Sequence, residues 1–236
     1  MKLAILIPTY NERTTLPTLM GVLVEEIKKI TDNYSIIILD DASPDGTGDI
    51  AEELNKKYEN IMVIHRKSKL GIGSAYKEGF KFVLEHFDPD LIIQMDADFS
   101  HDPKEIRQLI QGMQGYDVAI ASRHVPNSSI TGWSLYRKLL HSTACTLAGI
   151  CGGIKISDPT SGFRIFKKNV LNSVNLFEIS SEGFAFQIEL LHKLNKMGFK
   201  IIELPTKFVN RKEGKSKLSY SETVQFIKVC FHLLLK

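Results

Sequence analysis

A chain of 236 residues, 43% hydrophobic and 24% charged, has the composition of a soluble globular protein and the length of one large domain. A net charge of +3 gives no case for a nucleic-acid partner, although basic residues crowd toward the C-terminal half at Arg137-Lys138, Lys167-Lys168 and Arg211 to Lys217, which favours an anionic ligand there. Cys145, Cys151 and Cys230 have no metal-ligand spacing and lie in apolar surroundings, so they read as packed thiols of a reduced compartment, with no chemistry assigned.

The apolar N-terminus meets Pro8 too early to hold a secretory hydrophobic region and reads as a first strand, Leu3–Ile7. A helix at about Thr15–Ile30, a strand at Ser35–Leu39, a helix at about Thr47–Tyr58 and a strand at Ile61–His65 follow. Next come a helix at about Ser74–Glu85, a strand at Leu91–Met95, a helix near Pro103–Gln111 and a strand at Val118–Ala121. Beyond Arg123 the pattern loosens, with helices at about Leu135–Ala148 and Phe184–Lys196 and a strand at about Lys200–Glu203. Strands alternating with helices predict an α/β fold with a mainly parallel sheet, whose ligands bind beyond the carboxyl ends of the strands.

Polar clusters fall at those ends: Pro8-Thr9-Tyr10-Asn11-Glu12, Asp40-Asp41-Ala42-Ser43, Asp96-Ala97-Asp98 and Ser122-Arg123. Positions i and i+2 of a strand share a face, so Asp96 and Asp98 can present two carboxylates on one side. Such a pair suits a hard divalent cation whose remaining positions are completed by a nucleoside diphosphate. Taken alone it reads first as a capped, aspartate-rich loop, and the company of the other clusters reverses that order. Asp41 can accept hydrogen bonds from a ribose or base, while Ser43 to Thr47 supply turn and N-cap chemistry. Gly71-Ile72-Gly73 follows the third strand without a full dinucleotide fingerprint and reads as a helix entry. Arg123, Arg137, Arg211 and Lys217 are candidates to hold phosphate; each alone reads as a solvated charge, but Arg211 and Lys217 bracket a Gly214-Lys215-Ser216 loop suited to folding over an anion. No Ser-His-Asp order or nucleophile elbow is present, and no glycine-rich turn follows the first strand, which disfavours a covalent hydrolase and a dehydrogenase. The apolar stretch Val224 to Leu235 is short of the ~20 residues needed to cross a bilayer and fits a docked helix or a membrane-surface helix.

Together with Asp158-Pro159-Thr160-Ser161-Gly162-Phe163-Arg164, these clusters resemble, in order, the motifs of the family 2 inverting glycosyltransferases, and among them the dolichyl-phosphate (polyprenyl-phosphate) mannose synthases. The resemblance runs from about Leu3 to Ser219 and implies a GT-A type fold, with a catalytic domain over 1–219 and an apolar C-terminal helix over 220–236. It implies nucleoside contacts from Pro8, Tyr10, Glu12, Leu39 and Asp41, and metal and diphosphate contacts from Asp96, Ala97 and Asp98. By the same resemblance Arg123, Arg211 and Lys217 grip nucleotide sugar or lipid phosphate, and Arg137 grips the acceptor phosphate. Where relatives place a serine four residues beyond that arginine, this chain has His141, with Ser142 next. The implied activity is transfer of mannose from GDP-mannose to a polyprenyl or dolichyl phosphate, with Mg²⁺ or Mn²⁺, at the cytoplasmic face of a membrane. A small membrane-anchoring subunit is an implied partner. A UDP-glucose-type lipid-phosphate transferase and a non-catalytic nucleotide-sugar-binding subunit are the alternatives.

Overall fold

The computed structural model describes residues 1–210 and 220–234. In chain order the elements are β1 (Leu3–Thr9), α1 (Leu16–Lys28), β2 (Tyr34–Asp40), α2 (Thr47–Lys57), β3 (Ile61–His65), α3 (Ile72–His86), β4 (Leu91–Gln94), α4 (Ile106–Gly112) and β5 (Val118–Ser122). The chain continues through β6 (Ser129–Thr131), α5 (Leu135–Gly152), β7 (Arg164–Lys167), α6 (Lys168–Ser173), α7 (Gly183–Lys196), β8 (Ile201–Pro205), β9 (Lys207–Val209) and α8 (Tyr220–Leu234). The elements expected up to Ala121 are present within a few residues of their expected bounds. The short strands β6, β7 and β9 and the short helix α6 were not anticipated.

Seven strands form one sheet in the order β3-β2-β1-β4-β7-β5-β8, and β6 pairs with β9 in a separate two-stranded ribbon. Every neighbouring pair in the large sheet is parallel except those of β7, which runs antiparallel to both β4 and β5. The strands are apolar on both faces because helices cover both. Leu3, Ile5, Ile7, Ile36, Ile38 and Ile93 join one core with α1 and α2, whereas Ala4, Leu6, Ile37, Leu39 and Ile92 join the other with α3 and α7. Each fully buried Ile or Leu contributes about 1.5–3 kcal/mol. The close seat of α3 depends on Gly79, where an added Cβ would lie 3.0 Å from Leu6 and 3.1 Å from Leu39.

The chain runs outward from β1 through β2 to β3, then returns to place β4 on the other side of β1. A topological switch point therefore lies between the carboxyl ends of β1 and β4, where open α/β sheets open a ligand crevice. The reversed direction of β7 adds to it, because a strand that runs backward begins at that same edge. Residues 158–163, which lead into β7, thus join the loops that follow β1, β2, β4 and β5.

Candidate active site

Three loops at this edge each hold a non-glycine residue in the left-handed region: Asn11 (φ 58°), Ala42 (φ 55°) and Phe99 (φ 59°). Such positions cost on the order of 1–3 kcal/mol each and persist where surrounding contacts over-determine them. Here those contacts are visible. The Asn11 amide donates to Ser43 Oγ at 3.0 Å, the Glu12 amide donates to Thr47 Oγ1 at 2.9 Å, and the Ser43 amide donates to Asp40 Oδ2 at 3.1 Å. The loops after β1 and β2 are thereby laced together. Half-buried Pro8, Tyr10 and Glu12 lie on this wall, with the Lys69 ammonium 3.8 Å from the centre of the Tyr10 ring.

Leu39 and Asp41 sit deeper. The Leu39 side chain is fully buried beneath α3. Asp41 is 5% exposed, and its carboxylate accepts from Arg66 Nη1 at 2.5 Å and from the amides of Leu70 and Gly71 at 3.0 and 2.9 Å. Arg66 also reaches Glu78 and Ser74. Asp41 therefore anchors the 66–71 loop, and Gly71 (φ 89°) opens α3 as a helix entry.

Asp96 and Asp98 follow β4 at the switch point. The Asp98 side chain accepts from the Ser100 amide at 3.0 Å, and the Asp96 amide donates to His101 Nδ1 at 2.9 Å. That bond leaves the neutral His101 ring protonated on Nε2, which lies 3.8 Å from Asp96 Oδ2. Phe163 stacks on His101 with centroids 5.0 Å apart, joining the 158–163 loop to this one. Gly162 faces the Asp96 carboxylate, where an added Cβ would stand 3.5 Å from the nearest oxygen. Asp96, beside a residue with no side chain, and Asp98 two residues on supply the carboxylate donors that Mg²⁺ or Mn²⁺ takes.

The 158–164 motif proves to be a bracket. Buried Arg164 folds back to donate to the carbonyls of Ser161 and Pro159, each at 2.7 Å, and to that of Gln187 at 3.0 Å. Asp158 takes Arg123 in a fork, with Nε to Oδ2 and Nη2 to Oδ1 both at 2.7 Å, and Nη2 also reaches Thr160 Oγ1 at 2.9 Å. Burial alone would raise the Asp158 carboxyl, but the charge and hydrogen bonds of Arg123 hold it well below the usual carboxylate range. Arg123 and Arg137 both lie over the Trp133 ring, at 5.6 and 4.4 Å, and Arg137 Nη1 donates to Asn210 Oδ1 at 3.3 Å. His141 sits one turn beyond Arg137 and bonds Thr160 Oγ1 at 2.9 Å. Its burial, followed by the Arg123 charge, pushes its pKa down to about 3, so the ring is neutral near pH 7. Ser142 is exposed and lines the groove beside His124 and Cys145. Arg211 and Lys217 lie outside the described residues.

The structure thus gathers Asp96, Ala97, Asp98, Arg123 and Arg137 around one edge, with Pro8, Tyr10 and Glu12 on the neighbouring wall. Sequence reasoning missed Arg66 and His101. Arg66 stands in the basic run His65 to Lys69, which reads as solvated surface, and His101 shows its role only through the Asp96 amide and Phe163.

The profile of glycosyl transferase family 2 matches residues 4–174, from β1 to the end of α6. This chain belongs to that family. Among curated members, polyprenol monophosphomannose synthase of Mycolicibacterium smegmatis is 38% identical over 92% of this chain and 81% of its own length. Undecaprenyl-phosphate mannosyltransferase of Micrococcus luteus is 35% identical over 93% of this chain and 88% of its own. Glucosyl-3-phosphoglycerate synthase of Mycobacterium tuberculosis, solved with Mn²⁺ and UDP-glucose, superposes with a TM-score of 0.67 at 18% identity, covering 99% of this chain and 78% of that one. The family 2 fold here is the GT-A fold, a mixed seven-stranded sheet flanked by helices.

Proposed function

We propose that this family 2 enzyme transfers mannose from GDP-mannose to a polyprenyl phosphate with inversion at the anomeric carbon. The observation that carries the reading is the junction of a cation station, the Asp96/Asp98 pair, with an anion station, the Arg123/Arg137 wall, held together by the His101–Phe163 stack and the Asp158 fork. The names of the two curated relatives, both lipid-phosphate mannosyltransferases, support the choice of donor sugar and acceptor.

The residues account for the chemistry without a dedicated base. A phosphate monoester is mostly dianionic near neutral pH, its second pKa being about 6, so the acceptor oxygen is already a nucleophile. Asp96 and Asp98 would hold Mg²⁺ or Mn²⁺, which when bound would supply Lewis-acid stabilisation to the departing diphosphate. Pro8, Tyr10 and Glu12 form the nucleoside wall, and Asp41 supports it through the Arg66 anchor. Asp158 fixes the plane of the Arg123 guanidinium, and Arg123 and Arg137 both pack on Trp133, so the two cations meet the acceptor already placed. Arg211 and Lys217, which precede α8 in the sequence, add to the grip on phosphate. A single in-line displacement then gives inversion.

The acceptor lipid brings a membrane, and α5 and α8 offer a face for it. Among the described residues no helix is long and apolar enough to span a bilayer. The two helices pack together yet leave Leu135 (85%), Leu139 (69%), Ile150 (71%) and Phe231 (65%) exposed. This face attaches the enzyme peripherally to the cytoplasmic side of a membrane, directly or through a small anchoring subunit.

The deciding experiment offers radiolabelled GDP-mannose, UDP-glucose and UDP-GlcNAc in turn to the enzyme with a polyprenyl phosphate and Mg²⁺, followed by organic extraction. Label entering the lipid phase from GDP-mannose is expected. Label entering only from a UDP-sugar would transfer the assignment to the glucose-type reading, and no transfer from any donor would leave a binding subunit.

A further inference from the structure

We infer that His124, His141 and Cys145 form a second metal site, for a borderline-soft divalent ion of the zinc class, built from residues other than the Asp96/Asp98 pair. Their donor atoms, with an Asp158 oxygen, all lie within 4.8 Å of one another. His124 Nε2 is 3.0 Å from His141 Nδ1, and Cys145 Sγ is 3.7 Å from the same nitrogen. Around a tetrahedral ion with bonds of about 2.1 Å to nitrogen and 2.3 Å to sulfur, ligand atoms stand roughly 3.4–3.6 Å apart. To close on an ion, the two histidine nitrogens part by a few tenths of an ångström and the Cys145 side chain, whose Sγ is 3.7 Å from both ring nitrogens of His141, turns toward the Nδ1 side.

The proton positions favour it as well. Thr160 has one hydroxyl proton, which it donates to Asp158 Oδ1 at 3.1 Å. Its oxygen must therefore accept from Arg123 Nη2 and from His141 Nε2, each at 2.9 Å. The neutral His141 ring is thus protonated on Nε2 and directs the Nδ1 lone pair at the cluster. A metal-bound histidine is commonly oriented in this way, by a hydrogen bond from its other nitrogen. On binding, the Cys145 thiol releases its proton to solvent and becomes the thiolate ligand. The His124 proton moves from Nε2 to Nδ1, so one proton leaves per ion bound.

The framework is rigid and accessible. His141 and Cys145 stand four residues apart on α5, hence on one face, and His124 follows the end of β5. A cavity of about 800 Å³ reaches the cluster between α5 and the segment Ile154–Ser157, with His124 and Cys145 in its wall. It gives the ion a path and leaves a fourth position for water. Asp158 is occupied by Arg123, so its part is to offset that charge rather than to ligate. Imidazole and thiolate together select zinc-class ions over Mg²⁺, which prefers an all-oxygen set.

The test uses full-length protein, treated with chelator and returned to excess Mg²⁺, then titrated with Co²⁺. One equivalent is expected to produce a thiolate-to-cobalt charge-transfer band in the near ultraviolet with the intense visible bands of a tetrahedral ion, and Zn²⁺ but not further Mg²⁺ should displace it. Cys145→Ser should lose the charge-transfer band. His124→Ala, at a half-buried loop position, should weaken Co²⁺ binding by at least about 10-fold, since loss of even a ligand's outer partner costs that much, with the thermal unfolding midpoint unchanged. Cys151→Ser and Asp98→Asn should retain the spectrum. Absence of the band in folded wild-type protein, or its survival in Cys145→Ser, overturns the site.

Discussion

Asp98 and Asp41 are both aspartates at the end of a buried strand, and their surroundings separate their tasks. Asp98 accepts a backbone hydrogen bond from Ser100 and follows β4 together with Asp96, while Asp41 is held by Arg66, Leu70 and Gly71. Asp98→Asn keeps an acceptor for the Ser100 amide and nearly the same volume but removes a charge from the cation. Mannosyl transfer is therefore expected to fall at least ~100-fold, as loss of several kcal/mol of transition-state stabilisation requires, while the unfolding midpoint stays put. Steady-state transfer assays beside thermal melts check this. Arg66→Ala should do the reverse, because it strands a buried carboxylate. Breaking such a pair costs about 3–5 kcal/mol, which for a chain of this size corresponds to a drop of roughly 10 °C in a thermal melt. Both aspartates were legible in the sequence because each follows the apolar run of an expected strand. The partner that separates them was not, since Arg66 is 6% exposed within a run of basic residues that looks solvated.

The elements legible from sequence are those with an internal period, such as β1, β2, α1 and α3. Arg164–Lys167 has four residues with a cation at each end and no period of its own; it is a strand only because β4 and β5 flank it. That strand decides how Asp158, Thr160 and Phe163 reach the edge. The helices show a similar dependence on distant neighbours at their glycines. In α3, a Cβ on Gly73 would come within 2.9 Å of the Phe186 Cβ and 3.2 Å of the Glu182 backbone, so α3 and α7 can approach only with glycine there. In α1, a Cβ on Gly21 meets nothing within 4 Å. Gly73→Ala is expected to destabilise the protein by about 1–3 kcal/mol through overpacking. Gly21→Ala, gaining helix propensity with no clash, should stabilise it by up to about 1 kcal/mol. Urea denaturation of the two variants, read at constant m-value, gives the opposite signs directly; equal signs would mean the α3–α7 contact does not set the spacing.

At the scale of the molecule, α5 is inverted relative to an ordinary surface helix. Its buried side carries small residues, Cys145, Ala148, Cys151 and Gly152, whereas Leu135, Leu139, Leu140 and Ile150 point away from the core. Small residues allow α8 to seat close, with Cys230 and Leu233 buried, and α8 in turn exposes Ile227, Phe231 and Leu234. The apolar stretch of the C-terminal helix was legible, but the outward face of α5 was not, because periodicity gives a stripe without saying which side meets the core. The basic wall of Arg137 lies on the first turns of the same helix, so a lipid whose chains lie along the apolar face would present its phosphate to that wall. Leu139→Glu combined with Phe231→Glu alters two side chains that are 69% and 65% exposed, so the fold should be retained. Each apolar side chain withdrawn from lipid forfeits up to about 1.5–3 kcal/mol, enough for a tenfold or greater loss of vesicle binding from the pair. Cosedimentation with phospholipid vesicles is expected to fall by that factor. Transfer to a long-chain polyprenyl phosphate in vesicles should fall with it, while transfer to a short, water-soluble prenyl phosphate should be nearly unchanged. Equal losses with both acceptors would mean that the two substitutions disturb the Arg137 wall itself, and unchanged cosedimentation would remove α5 and α8 from membrane contact.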